Sequence, residues 1–416
     1  MRQLLKVERN AKEMVSIFLR RRNQNHRSRR PARGHGAETA ARGINLGAAG
    51  LVVARRRGFC LQLAQAYAAF LFDQKKDDVM KFRLLIGLLL FSASGLEMAL
   101  ADTGGTKPLL IKEVQIPNAQ PGDFDQMAVD LRRDRLFASA ESSNLVEIFA
   151  LRSGQFLGAI SDVKKPHRLA VEEGSGNILL ADGGQNEVKL FNRHGKFLAS
   201  VPTGEDPDGG VLDTRQNVFY VGSRVISAEQ KTSQIQAINV KTMRIISTID
   251  IPASTLKGMV IDDPSHMLFV SMRDKNAVGE INLDTQKLVS VLSPPGLTLP
   301  VPLALDQKAQ LLFVGARRPG KLFVLDAKTG AELQVLDSTN ISDSMWFDPQ
   351  NNQIYVSGHG GESVYRVGEN RSVYPVALID THAGKTSILV DTLHRLYVIA
   401  PKAGKRDAEL LIYKLN

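Results

Sequence analysis

An apolar residue followed by an acid recurs seven times along this chain, and that recurrence leaves it few folds. Each pair is followed, some five residues later, by an apolar or aromatic strand. Val129-Asp130 precedes Leu136-Phe137, Leu212-Asp213 precedes Phe219-Tyr220, and Ile261-Asp262 precedes Leu268-Phe269. Leu305-Asp306, Phe347-Asp348 and Val390-Asp391 precede Leu312-Phe313, Ile354-Tyr355 and Leu396-Tyr397, while Val171-Glu172, before Ile178-Leu179, substitutes Glu. Successive acids stand 42, 41, 49, 44, 42 and 43 residues apart. A period in the low forties, filled by short alternating strands and Gly/Asn/Asp turns, is what four-stranded propeller blades produce.

Each unit parses into four strands. In the fifth these are Pro302–Leu305, Leu311–Gly315, Lys321–Asp326 and Glu332–Leu336. The seventh, Ser387–Asn416, supplies only three, and Leu109–Ile116 at the other end has strand character. Pairing that segment into the last blade closes the ring and hides both sheet edges, which an open array would leave as templates for aggregation. The fold class expected is therefore all-β, a seven-bladed β-propeller closed by an N-terminal strand.

Charge separates this array from what precedes it. Residues 1–79 hold 17 of the 53 Lys/Arg and 6 of the 43 Asp/Glu, so the rest of the chain is close to neutral. Arg20–Arg22, Arg27-Ser28-Arg29-Arg30 and Arg55–Arg57 repel one another in any compact state, and no sustained period joins them. Residues 1–79 are read as a basic upstream extension, disordered or outside the mature protein. From Met80 the pattern changes: Lys81 and Arg83, the apolar run Leu84–Phe91, then Ala99-Leu100-Ala101 before Asp102. That order matches a secretory signal peptide over residues 80–101, and the apolar run is too short to span a bilayer. The expectation is a periplasmic or secreted propeller over residues 102–416, with Met80 as the initiator. The one cysteine, Cys60, lies upstream, so a large core must stabilise the propeller without disulfides.

Gly176–Val201 (GNILLADGGQNEVKLFNRHGKFLASV) resembles a blade of the NHL-repeat class. Leu268–Leu292 and Leu311–Leu336 resemble blades of bacterial YVTN-type propellers, with a hydrophobic-Asp-x-x-Thr/Gly turn before the outer strand. The resemblance covers most of residues 109–416. It implies a fold rather than an activity, because propellers carry enzymes, binding modules and scaffolds alike.

Equivalent positions of a repeat share one circle, so two rings around one mouth of the central channel can be read directly. Five residues before each acid stand Asp125, His167, Asp208, Lys257, Val301, Asp343 and Thr386. Just after the second strand stand Glu141, Gly183, Arg224, Arg273, Arg317, His359 and Pro401, with Arg318 beside Arg317. The repeated acids themselves belong to turns, where Asp accepts backbone N–H bonds.

Two functions from different classes follow. In the first, Arg224, Arg273, Arg317, Arg318 and His359 form a basic arc that binds a small anionic ligand or a protein partner, because the guanidinium fork suits carboxylate and phosphate. In the second, Asp125, Asp208 and Asp343 hold Ca²⁺ or another divalent cation, and His167 serves as ligand or general base. That set would hydrolyse a lactone or ester, as in the calcium-dependent lactonases similar to SMP-30 and gluconolactonase. This chain has seven units rather than that family's six and lacks its opening Glu-Gly-Pro, so binding is the favoured reading over catalysis. No Gly-x-Ser-x-Gly, phosphate loop, His-Glu-x-x-His or Cys-x-x-Cys-His is present. Aromatics are 6% of the chain and the propeller is near neutral, which argues against nucleic acid. A monomer without an integral membrane domain is expected.

Overall fold

Val, Leu, Ile and aromatic residues alternating with small turn residues favour strands over helices, and strands dominate the described structure. The computed structural model describes residues 107–117, 119–226 and 232–415. The basic segment and the signal-like stretch lie outside the described residues. Among the described residues, twenty-eight strands form seven four-stranded antiparallel sheets. Blades 1 to 6 take β2–β5 (Met127–Ile160), β6–β9 (Pro166–Pro202), β10–β13 (Gly210–Ile251), β14–β17 (Leu256–Leu292), β18–β21 (Pro300–Asp337) and β22–β25 (Ser344–Ile379). Blade 7 joins β26 (Thr386–Val390), β27 (Arg395–Ala400) and β28 (Glu409–Lys414) to β1 (Leu109–Gln115). The closing strand runs antiparallel to β28, with Val114 opposite Leu410 and Gln115 opposite Glu409. The seven blades stand in a ring, and β26 neighbours β2 where the last blade meets the first.

Burial follows position within the blade. The second strands β7 (Ile178–Asp182) and β11 (Val218–Gly222) are buried at every residue, because neighbouring blades cover both of their faces. The outer strand β17 (Lys287–Leu292) alternates exposed and half-buried. Between blades 5 and 6, Leu311, Phe313, Leu322 and Val324 pack against Ile354, Val356 and Tyr365. Each fully buried side chain of this size contributes about 1.5–3 kcal/mol.

The repeated acids sit where the sequence places them. Asp130 accepts the Arg133 N–H at 3.1 Å, Asp306 that of Ala309 at 2.9 Å, and Asp348 those of Gln350 and Asn351 at 2.9 and 3.2 Å. Glu172 takes the Ser175 N–H in the same way, at 3.0 Å. The turn before the outer strand is also built as expected: Asp326 accepts the Lys328 and Thr329 N–H groups at 3.0 and 2.8 Å. Among the described residues no helix is long and apolar enough to cross a membrane.

Candidate functional site

The seven inner strands begin at one end of the channel, and each second strand ends there, so the two rings adjoin. Asp125 N–H donates to Ser139 O at 2.9 Å, Asp208 to Gly222 O at 3.0 Å and Asp343 to Ser357 O at 3.1 Å. A repeated asparagine fixes the loops between blades. Asn144, Asn186 and Asn276 adopt left-handed backbone at φ 53°, 57° and 53°. Their side-chain oxygens accept the N–H groups of Lys165, Asp206 and Leu299 in the following blade, each at 2.9 Å. Those bonds hold Lys165, Asp206 and Leu299 in left-handed backbone too, at φ 51°, 43° and 47°. Ile341 at φ 52° completes the set, held by Arg317 O at 3.0 Å. Positive φ is uncommon for leucine and unfavourable for a β-branched side chain, so these loops are held by their bonds rather than by preference.

On this frame the charges pair between blades. His167 sits between two carboxylates, Nδ1 at 2.5 Å from Asp125 and Nε2 at 3.3 Å from Asp206. Asp206 also takes Lys165 at 2.7 Å and Arg224 at 3.1 Å. Asp208 binds the Lys257 ammonium. Asp343 binds Arg317 at 3.1 Å and Lys385 at 2.6 Å, and Lys385 reaches Asp123 at 3.0 Å. Thr386 donates to Phe124 O at 2.6 Å. Bridges therefore link blades 1 and 2, 2 and 3, 3 and 4, 5 and 6, 6 and 7, and 7 and 1. Among the described residues no ion pair of this ring joins blades 4 and 5, where the first ring carries Val301 instead of a charge.

Burial opposes the charge on His167, yet its bonds to Asp125 and Asp206 and the field of Asp208 outweigh it, raising its pKa to about 10. Burial opposes ionisation of Asp125 and Asp206 as well. His167, with Lys257 and Lys385 acting on Asp125 and Lys165 on Asp206, holds both well below the usual carboxylate range. The imidazole is thus a buried cation with both nitrogens engaged, and it sits in an ion pair rather than as a free base.

The structure brings together three of the four residues assigned to a metal. Asp125, His167 and Asp208 offer ligand atoms within 4.8 Å of one another. Asp343 is not in that cluster, being held by Arg317 and Lys385.

The arc occupies consecutive blades. Arg224 and Arg317 are each held by one carboxylate, and the Arg317 Nε is buried without an acceptor. Arg273 is half-buried and forms no side-chain hydrogen bond or ion pair among the described residues. Burial and the charges of Arg317 and Arg224 press its pKa down, against the opposing pull of Asp343 and Asp208. His359 and Arg318 lie exposed at the rim. Glu141 stands on the far side, its carboxyl pushed up by burial.

Sequence reasoning missed Asp123, Lys165, Asp206 and Lys385. Asp123, Lys165 and Asp206 are themselves equivalent, each two residues before its ring member, so reading the same alignment two positions earlier finds them.

Neither a family model nor a curated protein sequence matches the chain. Among solved structures, a chain of the crystal structure of the mitotic checkpoint complex is similar, with a TM-score of 0.62 and 13% identity. The match covers 74% of this chain and 92% of that one. At that identity the likeness shows the fold alone, a β-propeller, and carries no activity or partner across.

Proposed function

We propose that the propeller is a binding module whose loop face takes an anionic group, a small ligand or an acidic side chain of a protein partner, at the gap between blades 4 and 5. The observation that carries this reading is Arg273, a half-buried guanidinium without a side-chain partner among the described residues, flanked by Arg224 and Arg317. An anion placed there completes the ring of inter-blade bridges and relieves repulsion among three like charges. Charge-assisted, bidentate bonds are the strong ones, and partial burial lessens their screening. The test is calorimetric titration of the protein with inorganic pyrophosphate and with a glutamate-rich peptide. Arg273→Ala weakens binding by about tenfold or more. Unchanged affinity for both probes in that variant, or no binding of either by the wild type, sinks the reading.

A metal-dependent hydrolase draws on the Asp125–His167–Asp208 cluster, but the fit is poor. A divalent ion there must displace Lys257 from Asp208 and deprotonate a histidine that two carboxylates hold charged. Thermal melts after EDTA treatment, with Ca²⁺, Mg²⁺, Mn²⁺ or Zn²⁺ then restored, separate the readings. A bound ion at about 100 times its dissociation constant adds roughly 2.7 kcal/mol; a rise that Asp208→Asn removes puts the hydrolase ahead.

Export is part of the same proposal, resting on Lys81, Arg83, Leu84–Phe91 and Ala99-Leu100-Ala101. N-terminal sequencing of the protein from its native cells tests it: a mature chain starting at Asp102 supports it, and one starting upstream of Met80 refutes it.

A further inference from the structure

Below the ion-paired mouth the inner strands enclose a cavity of about 370 Å³, at the small end of the range for ligand pockets. Its wall changes character along the axis. Asp125, Asp208, Lys257 and Asp343 lie at the mouth, and Met259, Leu303, Trp346 and Phe347 line it deeper in.

One cation on this wall belongs to neither ring. Arg168, directly after His167 in β6, donates from Nη1 to the amide oxygen of Gln126 at 3.0 Å. Its Nε is buried without an acceptor, and the side chain forms no ion pair among the described residues. The side chain is half-buried, and burial presses its pKa down against the weaker opposing field of Asp125, so its desolvation is only partly repaid. Gly210 of the next blade lies beside its stem: a Cβ there would stand at ordinary contact distance, 3.4 Å, from the Arg168 Cγ. The cavity wall thus carries a guanidinium that forms no ion pair among the described residues.

We propose that this cavity binds a small monocarboxylate with an alkyl or aryl body, the carboxylate on Arg168 and the body against Met259, Trp346 and Phe347. A single uncompensated guanidinium suits one negative charge, and a phosphate dianion would leave charge unmatched against an apolar wall. The site is independent of the arginine arc, because Arg168 takes no part in the mouth's ion pairs.

Trp346 is the only tryptophan of the chain and lines the cavity, so its fluorescence reports occupancy. The test titrates the full chain with hexanoate and with hexanamide, its neutral counterpart. Hexanoate gives a saturable change, and hexanamide binds at least about tenfold more weakly. Arg168→Met removes that preference, Arg168→Lys weakens hexanoate binding while keeping the charge, and Arg273→Ala leaves it intact. The absence of a saturable change with hexanoate overturns the proposal. So does equal affinity for acid and amide in the wild type, a comparison that does not depend on any variant folding. Retention of the preference in a folded Arg168→Met protein overturns the assignment of the counter-ion.

Discussion

At the turn end of the inner strands, six blades carry Asp and one carries Glu, and at least five of these acids accept N–H groups from their own turn. At the mouth end the same strands begin with Asp125, His167, Asp208, Lys257, Val301, Asp343 and Thr386. There the charges are satisfied by the next blade rather than by their own turn. One end is seven copies of a local solution; the other is a single arrangement distributed over the ring. The difference teaches where to look for function in a repeat protein. A residue the fold needs in every blade repeats, whereas a residue needed once, by the assembled ring, does not.

If that contrast is right, the mouth is where single substitutions do the most harm. Asp206→Ala has the largest expected effect, since it takes a buried carboxylate from the buried His167 and leaves the part-exposed Lys165 and Arg224 facing that cation. Removing one partner from a buried ionic cluster costs about 3–5 kcal/mol, read as a loss of unfolding free energy in urea. A cost near 1 kcal/mol would mean that water already screens the cluster.

The pH dependence separates the mouth's ionic side from its neutral one. Across the ring, Glu362 is fully buried and 2.5 Å from Ser357 Oγ, which lies 2.6 Å from Ser387 Oγ; burial pushes the acid's pKa up to about 8. No cation pairs with it among the described residues, so it folds as a neutral acid. Its unfolded value is near 4.5, so its contribution is fully present below that pH and is lost as pH rises through about 8. The raised His167 acts in the same direction, present below about 6.5 and lost towards 10, while the depressed Asp125 and Asp206 lose their contribution as pH falls below about 4. Glu362→Gln keeps the shape and removes the titration, so at pH 9 it unfolds later than the wild type by about 2–4 kcal/mol. The two proteins match near pH 5. A wild type and variant with parallel profiles across that range would place the alkaline loss on His167 alone.

The turn end predicts a smaller, repeatable cost. Asp348→Ala frees the Gln350 and Asn351 N–H groups at the protein surface and costs about 1–2 kcal/mol. Asp306→Ala, with one such bond, costs less, and the two add, because they act within separate blades. Strong coupling between them would show that the turns are not the local units claimed.

How much of this was legible follows from the same contrast. The blades were readable because the acid and its apolar neighbour recur, and the closing strand because Leu109–Ile116 matched the strand that the seventh unit lacked. The rings were readable because repeats place equivalent positions on one circle. The pairing within them was not. Whether Asp343 meets a metal, Arg317 or Lys385 depends on side-chain reach between blades, which no within-repeat spacing encodes. Asp206 stood only two residues from Asp208, yet it and not Asp208 is the acid shared by His167, Lys165 and Arg224. Arg168 was hidden for another reason: its position is Gln126, Gly209 and Gly258 in neighbouring blades, and a single occurrence gives no pattern to read.

The smallest expected effect is the most informative about function. Arg273 and Arg317 are equivalent residues in adjacent blades, but among the described residues only Arg317 has a carboxylate, Asp343 at 3.1 Å. Arg317→Ala should therefore cost stability, by breaking a bridge whose partners are only 13% and 12% exposed. Arg273→Ala removes a cation that its neighbours repel and changes stability by no more than about 0.5 kcal/mol. A residue that stabilises nothing while holding a desolvated charge is the kind a fold retains for a ligand. Parallel melts of the two variants decide the point, since an equal loss in both would make Arg273 part of the frame and leave the gap between blades 4 and 5 without a role.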